Sequence, residues 1–424
     1  MKFSMTALGL AIAAGALGIS SAASAQYNTP APAPQGNAAP PADAQPQEQS
    51  KIKVSRGASK AIGELQATVK ANDTANFAAK VAAAKAVSKT PDDRYAVAAL
   101  EYQGAVAAKD NSARADALEG LIASGKVPAA DLPGMYADLA NTYTGLNQAA
   151  RASATLQRLI AIDPNNASAV VVLANQLKAQ GKTAEAVALL RKSIASGGAG
   201  GAKPDEKLYK QAVQLAYDAK SPVALELGRS WVSAYPSANS WHNSIAILRN
   251  LNSLDEQALL DALRLERAAG ALTGEGDFHR YAYLAATKGF PGEAKAVLEE
   301  GFAAGKIDRN KAIFRDTLAD INPKAAADKA AVSSAAAKGT AAATAKVALA
   351  NGDLLYGAGD FAKAAEVYRA ALGKSGADAN LINLHLGAAL ARAGDKAGAT
   401  AALNAVTGPN AEIAKFWLVY LATR

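Results

Sequence analysis

The sequence has no cysteine. That absence removes disulfides, thiolate zinc and iron–sulfur sites, a cysteine nucleophile and lipidated cysteine anchors. Histidine is almost as scarce. His242, His279 and His385 stand far apart with no HExxH pattern and no i,i+4 pairing, so the sequence offers no support for a histidine metal site, and no metal or cofactor is expected. No run of five like charges occurs. The formal charge of +8, or +7 without Lys2, is a mild bias and not a nucleic-acid footprint, so no nucleic-acid partner is expected. Aromatic residues make up only 6%. Alanine instead fills about a quarter of the chain, which favours closely packed helices because it has the highest helix propensity and loses no side-chain entropy.

Long apolar runs are also missing beyond the first residues. Met1 to Ala25 reads as a secretory signal: Lys2 supplies the positive start, Leu8 to Ile19 a short apolar core, and Ala23-Ser24-Ala25 a small-residue cleavage triplet. No later segment holds 18 uninterrupted apolar residues, so no membrane span is expected after removal of the signal, and the periplasm is the expected location. Residues 26–56 follow as a linker rich in Pro, Ala and Gln, including Pro30, Pro32, Pro34, Pro40, Pro41 and Pro46. Such a composition cannot bury enough apolar surface to repay its ordering entropy, so disorder is expected there.

Beyond Lys51 the prolines fall between apolar-periodic stretches, and no stretch alternates with period two apart from Val170-Val171-Val172 inside a helical pattern. An all-α chain follows. Its order repeats at a stride of 34 residues. Tyr136, Leu139-Ala140, Tyr143, a turn near Asn147, then Ala152, Leu156 and Leu159 are followed by Val170, Leu173-Ala174, Leu177, a turn at Gly181, then Ala186 and Leu190. The series returns as Ala348, Gly352, Leu355-Tyr356, Gly359, Ala364 and Tyr368, and again as Leu386-Gly387, Leu390, Gly394, Ala399 and Leu403. Large residues three and four apart make one apolar helix face, and the small residue (Ala140, Ala174, Gly352, Gly387) lets an antiparallel partner approach. The alanine early in the second helix serves the same closeness from the other side.

This pattern resembles the tetratricopeptide repeat, strongly in those four units. Five looser units surround them: Ile62–Pro91, Arg94–Gly125, Lys207–Pro236, Trp241–Ala269 and Phe278–Gly305. The resemblance implies a right-handed α-solenoid of stacked antiparallel helix pairs, each burying its apolar side only against its neighbours. The expected divisions are an N-terminal repeat arm over 57–309, an Ala-rich hinge or irregular helices over 310–344, and C-terminal repeats over 345–424. Gly197 to Lys203 reads as a flexible connection, and Ala411 to Ala422 as a capping helix, with a membrane-touching tip as the rival.

Catalytic constellations are thin, and no enzyme is expected. No GxSxG elbow is present. Gly120 to Val127 has the spacing of a phosphate loop, but Val127 stands where a hydroxyl would hold magnesium and no strand precedes it, so Gly125 reads as a helix end. Gly181-Lys182-Thr183 reads as an inter-helix turn.

In the family the first helix of each unit lines a concave face that receives peptides. Carried over by position, that face holds Asn141 and Thr144, then Asn175 and Lys178, and near the C-terminus Lys346, Asp353, Tyr356, His385 and Arg392. Asn141 and Asn175 occupy equivalent places, and two amides could face a peptide backbone. Ala137 and Val171 stand where family members that clamp a terminal carboxylate carry lysine, which speaks against that mode. The resemblance and the export signal together imply a non-catalytic scaffold holding an envelope protein or peptide. A component of peptidoglycan or polysaccharide processing and a self-assembling solenoid are the alternatives.

Overall fold

The computed structural model describes residues 52–199 and 203–424. The expected signal and most of the expected linker lie outside these residues, as do residues 200–202 of the Gly-rich connection. Pairs of short helices follow one another: α1 (Arg56–Lys70) with α2 (Thr74–Val87), α3 (Pro91–Ala108) with α4 (Asn111–Ala123), and α5 (Leu132–Gly145) with α6 (Ala149–Ile162). Next come α7 (Ala167–Ala179) with α8 (Thr183–Ala199), α9 (Glu206–Asp218) with α10 (Val223–Ala234), α11 (Ala238–Leu251) with α12 (Glu256–Ala268), and α13 (Glu275–Thr287) with α14 (Pro291–Ala303). A single long helix, α15 (Ala312–Ala341), precedes α16 (Ala345–Gly357) with α17 (Phe361–Ala371), α18 (Ala379–Ala393) with α19 (Lys396–Asn404), and the last helix α20 (Ala411–Ala422). Consecutive helices touch throughout, and no strand occurs among the described residues.

Local chemistry sets the boundaries. Short polar side chains accept from the free N–H groups at helix starts: Asp73 caps α2, Asp110 caps α4, Asn166 caps α7 and Asp360 caps α17. Thr90 and Asp93 form a reciprocal capping box at α3. Gly125 (φ +66°) and Gly181 (φ +77°) take the left-handed conformation that ends a helix, which accounts for both sequences that mimic part of a phosphate loop.

The small residues do the packing assigned to them. Ala152, Ala186, Ala364 and Ala399 are all fully buried. A Cβ added to Gly352 would stand 2.4 Å from the Tyr368 ring of the partner helix, and one added to Gly387 would stand 2.5 Å from Leu403 Cγ. The interhelical distance is thus set by the missing side chain.

Two features depart from a plain row of pairs. The segment 310–344, expected to be a hinge or an irregular helix pair, is spanned by the 30-residue α15, whose alanine run propagates the helix past Pro323. It packs on α13 and α14 on one side and α16 and α17 on the other. Asp328 of α15 accepts from the Gly292 N–H at 2.8 Å, satisfying the first turn of α14, which has no side-chain cap of its own. Ile52–Arg424 forms one compact unit.

The second departure is α20. It covers α18 and α19, as a capping helix would, and also packs on α10 and α12. Phe416 and Trp417 are buried. Trp241 of α11 meets the Phe416 ring at 6.4 Å and the Tyr420 ring at 6.3 Å between centroids, and Arg229 of α10 pairs with Glu412. The apolar face once open to a membrane-tip reading is therefore spent on protein. No described helix is long and apolar enough to cross a membrane.

Candidate functional site

The first helices of the early units present a polar surface. On α5, Asn141 and Thr144 are exposed, and the Thr144 hydroxyl donates to the Ala140 carbonyl at 2.9 Å. On α7, Asn175 and Lys178 are exposed. Asn175 accepts from Gln211 Nε2 of α9 at 2.8 Å, and Lys178 Nζ lies 2.8 Å from Asp218 Oδ2 of the same helix. Similar bonds join other first helices: Tyr102 of α3 donates to Asp138 of α5 at 2.9 Å, and Asn250 of α11 donates to the Tyr217 hydroxyl of α9 at 3.1 Å. Side chains thus form rungs between successive units along one face. Asp138, Gln211 and Asp218 were not anticipated. Gln211 follows Asn175 by 36 residues, because the connection after α8 breaks the regular stride.

The C-terminal members of the expected set behave differently. Lys346 is exposed and Arg392 half-buried, its guanidinium 4.5 Å from the Phe361 ring centroid. Asp353, Tyr356 and His385 are only 5%, 6% and 4% exposed. Their expected place on an open face is corrected. The long α15 and the return of α20 bring α16 against α12 and α14 and α18 against α12, so the face that would be open in an unclosed array is interior.

There they join a charge cluster. Arg264 of α12 makes a two-point contact with Glu293 of α14, Nε to Oε1 at 2.9 Å and Nη2 to Oε2 at 2.7 Å. Its Nη1 reaches Asp353 Oδ1 at 3.1 Å and Asp261 Oδ1 at 3.3 Å. His385 of α18 places Nε2 at 3.1 Å from Asp261 Oδ2 and Nδ1 at 3.2 Å from Asp353 Oδ1, the latter without good hydrogen-bond alignment. Tyr281 donates to Glu293 at 2.7 Å and Tyr368 to Asp353 at 2.8 Å.

Burial favours the neutral forms here, and the opposite charges overcome it. Burial alone would raise Asp353, yet His385 and Arg264 hold it down at about 2. Burial alone would lower His385, yet Asp261 and Asp353 lift it to about 10. Burial raises the Tyr356 hydroxyl to about 12. Arg264, Asp261, Glu293, Asp353 and His385 are paired with one another and almost fully buried, while the buried Tyr356 hydroxyl has no hydrogen-bond partner. The arrangement is suited to holding four helices together, and its Glu293 and Asp353 also reach the wall of a neighbouring cleft.

Beside it, α14, α15 and α16 enclose a cleft of 640 Å³, with Phe290, Lys295, Ala325, Lys329 and Leu354 on its walls. Its volume falls within the range of about 300–1,000 Å³ common for ligand sites.

A second cluster was not anticipated either. His242 of α11, Glu266 of α12 and Asp277 of α13 converge, with His242 Nδ1 2.7 Å from Glu266 Oε1 and 3.5 Å from Asp277 Oδ2. Each belongs to a different helix, so no local spacing could signal the group. His279 remains outside both clusters.

No family model matches the chain, and no curated protein matches it significantly. Among solved structures it is similar to a tetratricopeptide repeat protein from Parabacteroides merdae, with 12% identity and a TM-score of 0.24 over 79% of this chain and 100% of that one. It is also similar to yeast Tom70, with 14% identity and a TM-score of 0.19 over 86% and 88% of the two chains. Superpositions that loose carry no weight, so the assignment rests on the chain's own residues. Antiparallel helix pairs, the 34-residue stride and the small-residue contacts at Gly352 and Gly387 make this chain a tetratricopeptide-like α-solenoid.

Proposed function

We propose that the chain is an exported, non-catalytic scaffold that binds a peptide segment of an envelope protein along the first-helix face of α5, α7 and α9. The observation that carries this reading is the exposure of Asn141 and Asn175 at equivalent places one repeat apart, continued by Gln211, which hydrogen-bonds Asn175. Side-chain amides each offer a donor and an acceptor, the pairing an extended peptide backbone requires. Export rests on the signal-like residues Met1 to Ala25, and the periplasm is the compartment they imply.

The test is site-directed photocrosslinking in cells of the source organism. A photoreactive residue at position 141 or 175 captures one reproducible envelope protein, and the same probe at Lys192 on the second helix α8 does not. Asn141→Ala with Asn175→Ala lowers that capture when the probe sits at position 178. Equal labelling from position 192, or no reproducible product, overturns the reading. Fractionation places the processed chain in the periplasm, and recovery in the cytoplasm overturns that part.

A further inference from the structure

We propose that His242, Glu266 and Asp277 form a binding site for a divalent transition metal of the zinc class at the junction of α11, α12 and α13. The donor set is one imidazole nitrogen and two carboxylates, a combination that suits zinc better than magnesium or calcium, which prefer all-oxygen shells. The inference stands apart from peptide binding and uses different helices.

The geometry is close to what the ion requires. Tetrahedral zinc with bonds of about 2.0–2.1 Å separates its ligand atoms by about 3.3 Å. His242 Nδ1 lies 3.5 Å from Asp277 Oδ2 and 2.7 Å from Glu266 Oε1, so the last distance opens by about 0.6 Å, through a turn of the partly exposed His242 ring, when an ion enters between them. The Thr273 hydroxyl lies 3.3 Å from the same nitrogen, supplying a further polar neighbour on the loop between α12 and α13.

Arg249 looks at first like a competitor, yet it engages the other oxygen of each carboxylate. Its Nη1 is 3.2 Å from Glu266 Oε2 and 3.4 Å from Asp277 Oδ1, leaving Oε1 and Oδ2 turned toward His242. It therefore acts as an outer partner that orients both ligands, the role such groups play around known metal centres. Glu266 is fully buried and fixed, while the His242 side chain is 31% exposed, leaving a route for the ion and a fourth position for water. Binding requires a free lone pair on Nδ1, so the proton held between Nδ1 and Oε1 goes to solvent from a doubly protonated imidazole or shifts to Nε2 in a neutral one.

The test is titration of the full chain with Zn²⁺, and in parallel Mg²⁺, by calorimetry in two buffers of different ionisation enthalpy, with thermal unfolding alongside. One Zn²⁺ binds per chain, raises the unfolding temperature, and is not matched by Mg²⁺. His242→Gln and, separately, Asp277→Asn each weaken Zn²⁺ by about tenfold or more and abolish the temperature rise, while His279→Gln leaves both intact. The second variant decides the matter if the first fails to fold. No saturable Zn²⁺ binding, binding unchanged in the variants, or binding lost in His279→Gln overturns the proposal.

Discussion

Arg264 Nη1 lies 3.1 Å from Asp353 Oδ1 although 89 residues separate them, and the same guanidinium makes a two-point contact with Glu293. One side chain thus ties α12 to α14 and α16. Removing one partner from a buried ion pair leaves an uncompensated charge, a loss of about 3–5 kcal/mol. Arg264→Met is expected to lower unfolding free energy by that amount in urea titration, whereas Arg191→Met, whose pair with Glu226 is exposed, should change it by under about 1 kcal/mol.

His385 makes the closure sensitive to alkali. Its folded-state value is raised from 6.5 to about 10, so its contribution is fully present below pH 6.5 and fades as pH rises through 10. Asp353 is depressed to about 2 from 3.8, so its contribution is present above pH 3.8 and fades as pH falls through 2. Unfolding temperature should decline from pH 6.5 to 10, and His385→Gln should flatten that slope while leaving the chain less stable at pH 6.

Two glycines separate steric need from propensity. Gly352→Ala puts a methyl group against the Tyr368 ring and is expected to cost about 1–3 kcal/mol. Gly63→Ala in α1 meets nothing within 4 Å and should stabilise by about 0.5–1 kcal/mol. Urea titration of both variants reads the opposite signs.

Phe416 is fully buried between α20 and the middle helices. Phe416→Ala should destabilise by about 3–5 kcal/mol. Because Trp241 stands beside it, the change should also alter tryptophan emission of the folded protein.

What could be read from the residues alone was whatever is local to one repeat. Gly352 against Tyr368 lies within one unit, and its meaning follows from a helix pair of known stride. Asp353 and His385 looked like groove residues for the same reason, since each unit was read as open on its inner side. Their burial depends on α12 and α18 meeting across more than a hundred residues, a contact with no periodic signature. The alanine-rich 310–344 lacked the repeat pattern because α15 packs on two neighbouring pairs at once. On the early units Asn141 and Asn175 are exposed.

The pairing of Arg229 with Glu412 spans 183 residues, and this changes how the chain comes apart. In an open array each terminal unit frays alone, because it touches only its neighbour. Here the segment from α10 to α20 is a loop fastened at its ends, so truncation before Ala411, which removes α20 and with it Glu412, should melt that block in one cooperative step. The units from α1 to α8 remain free to be lost one at a time from their outer end.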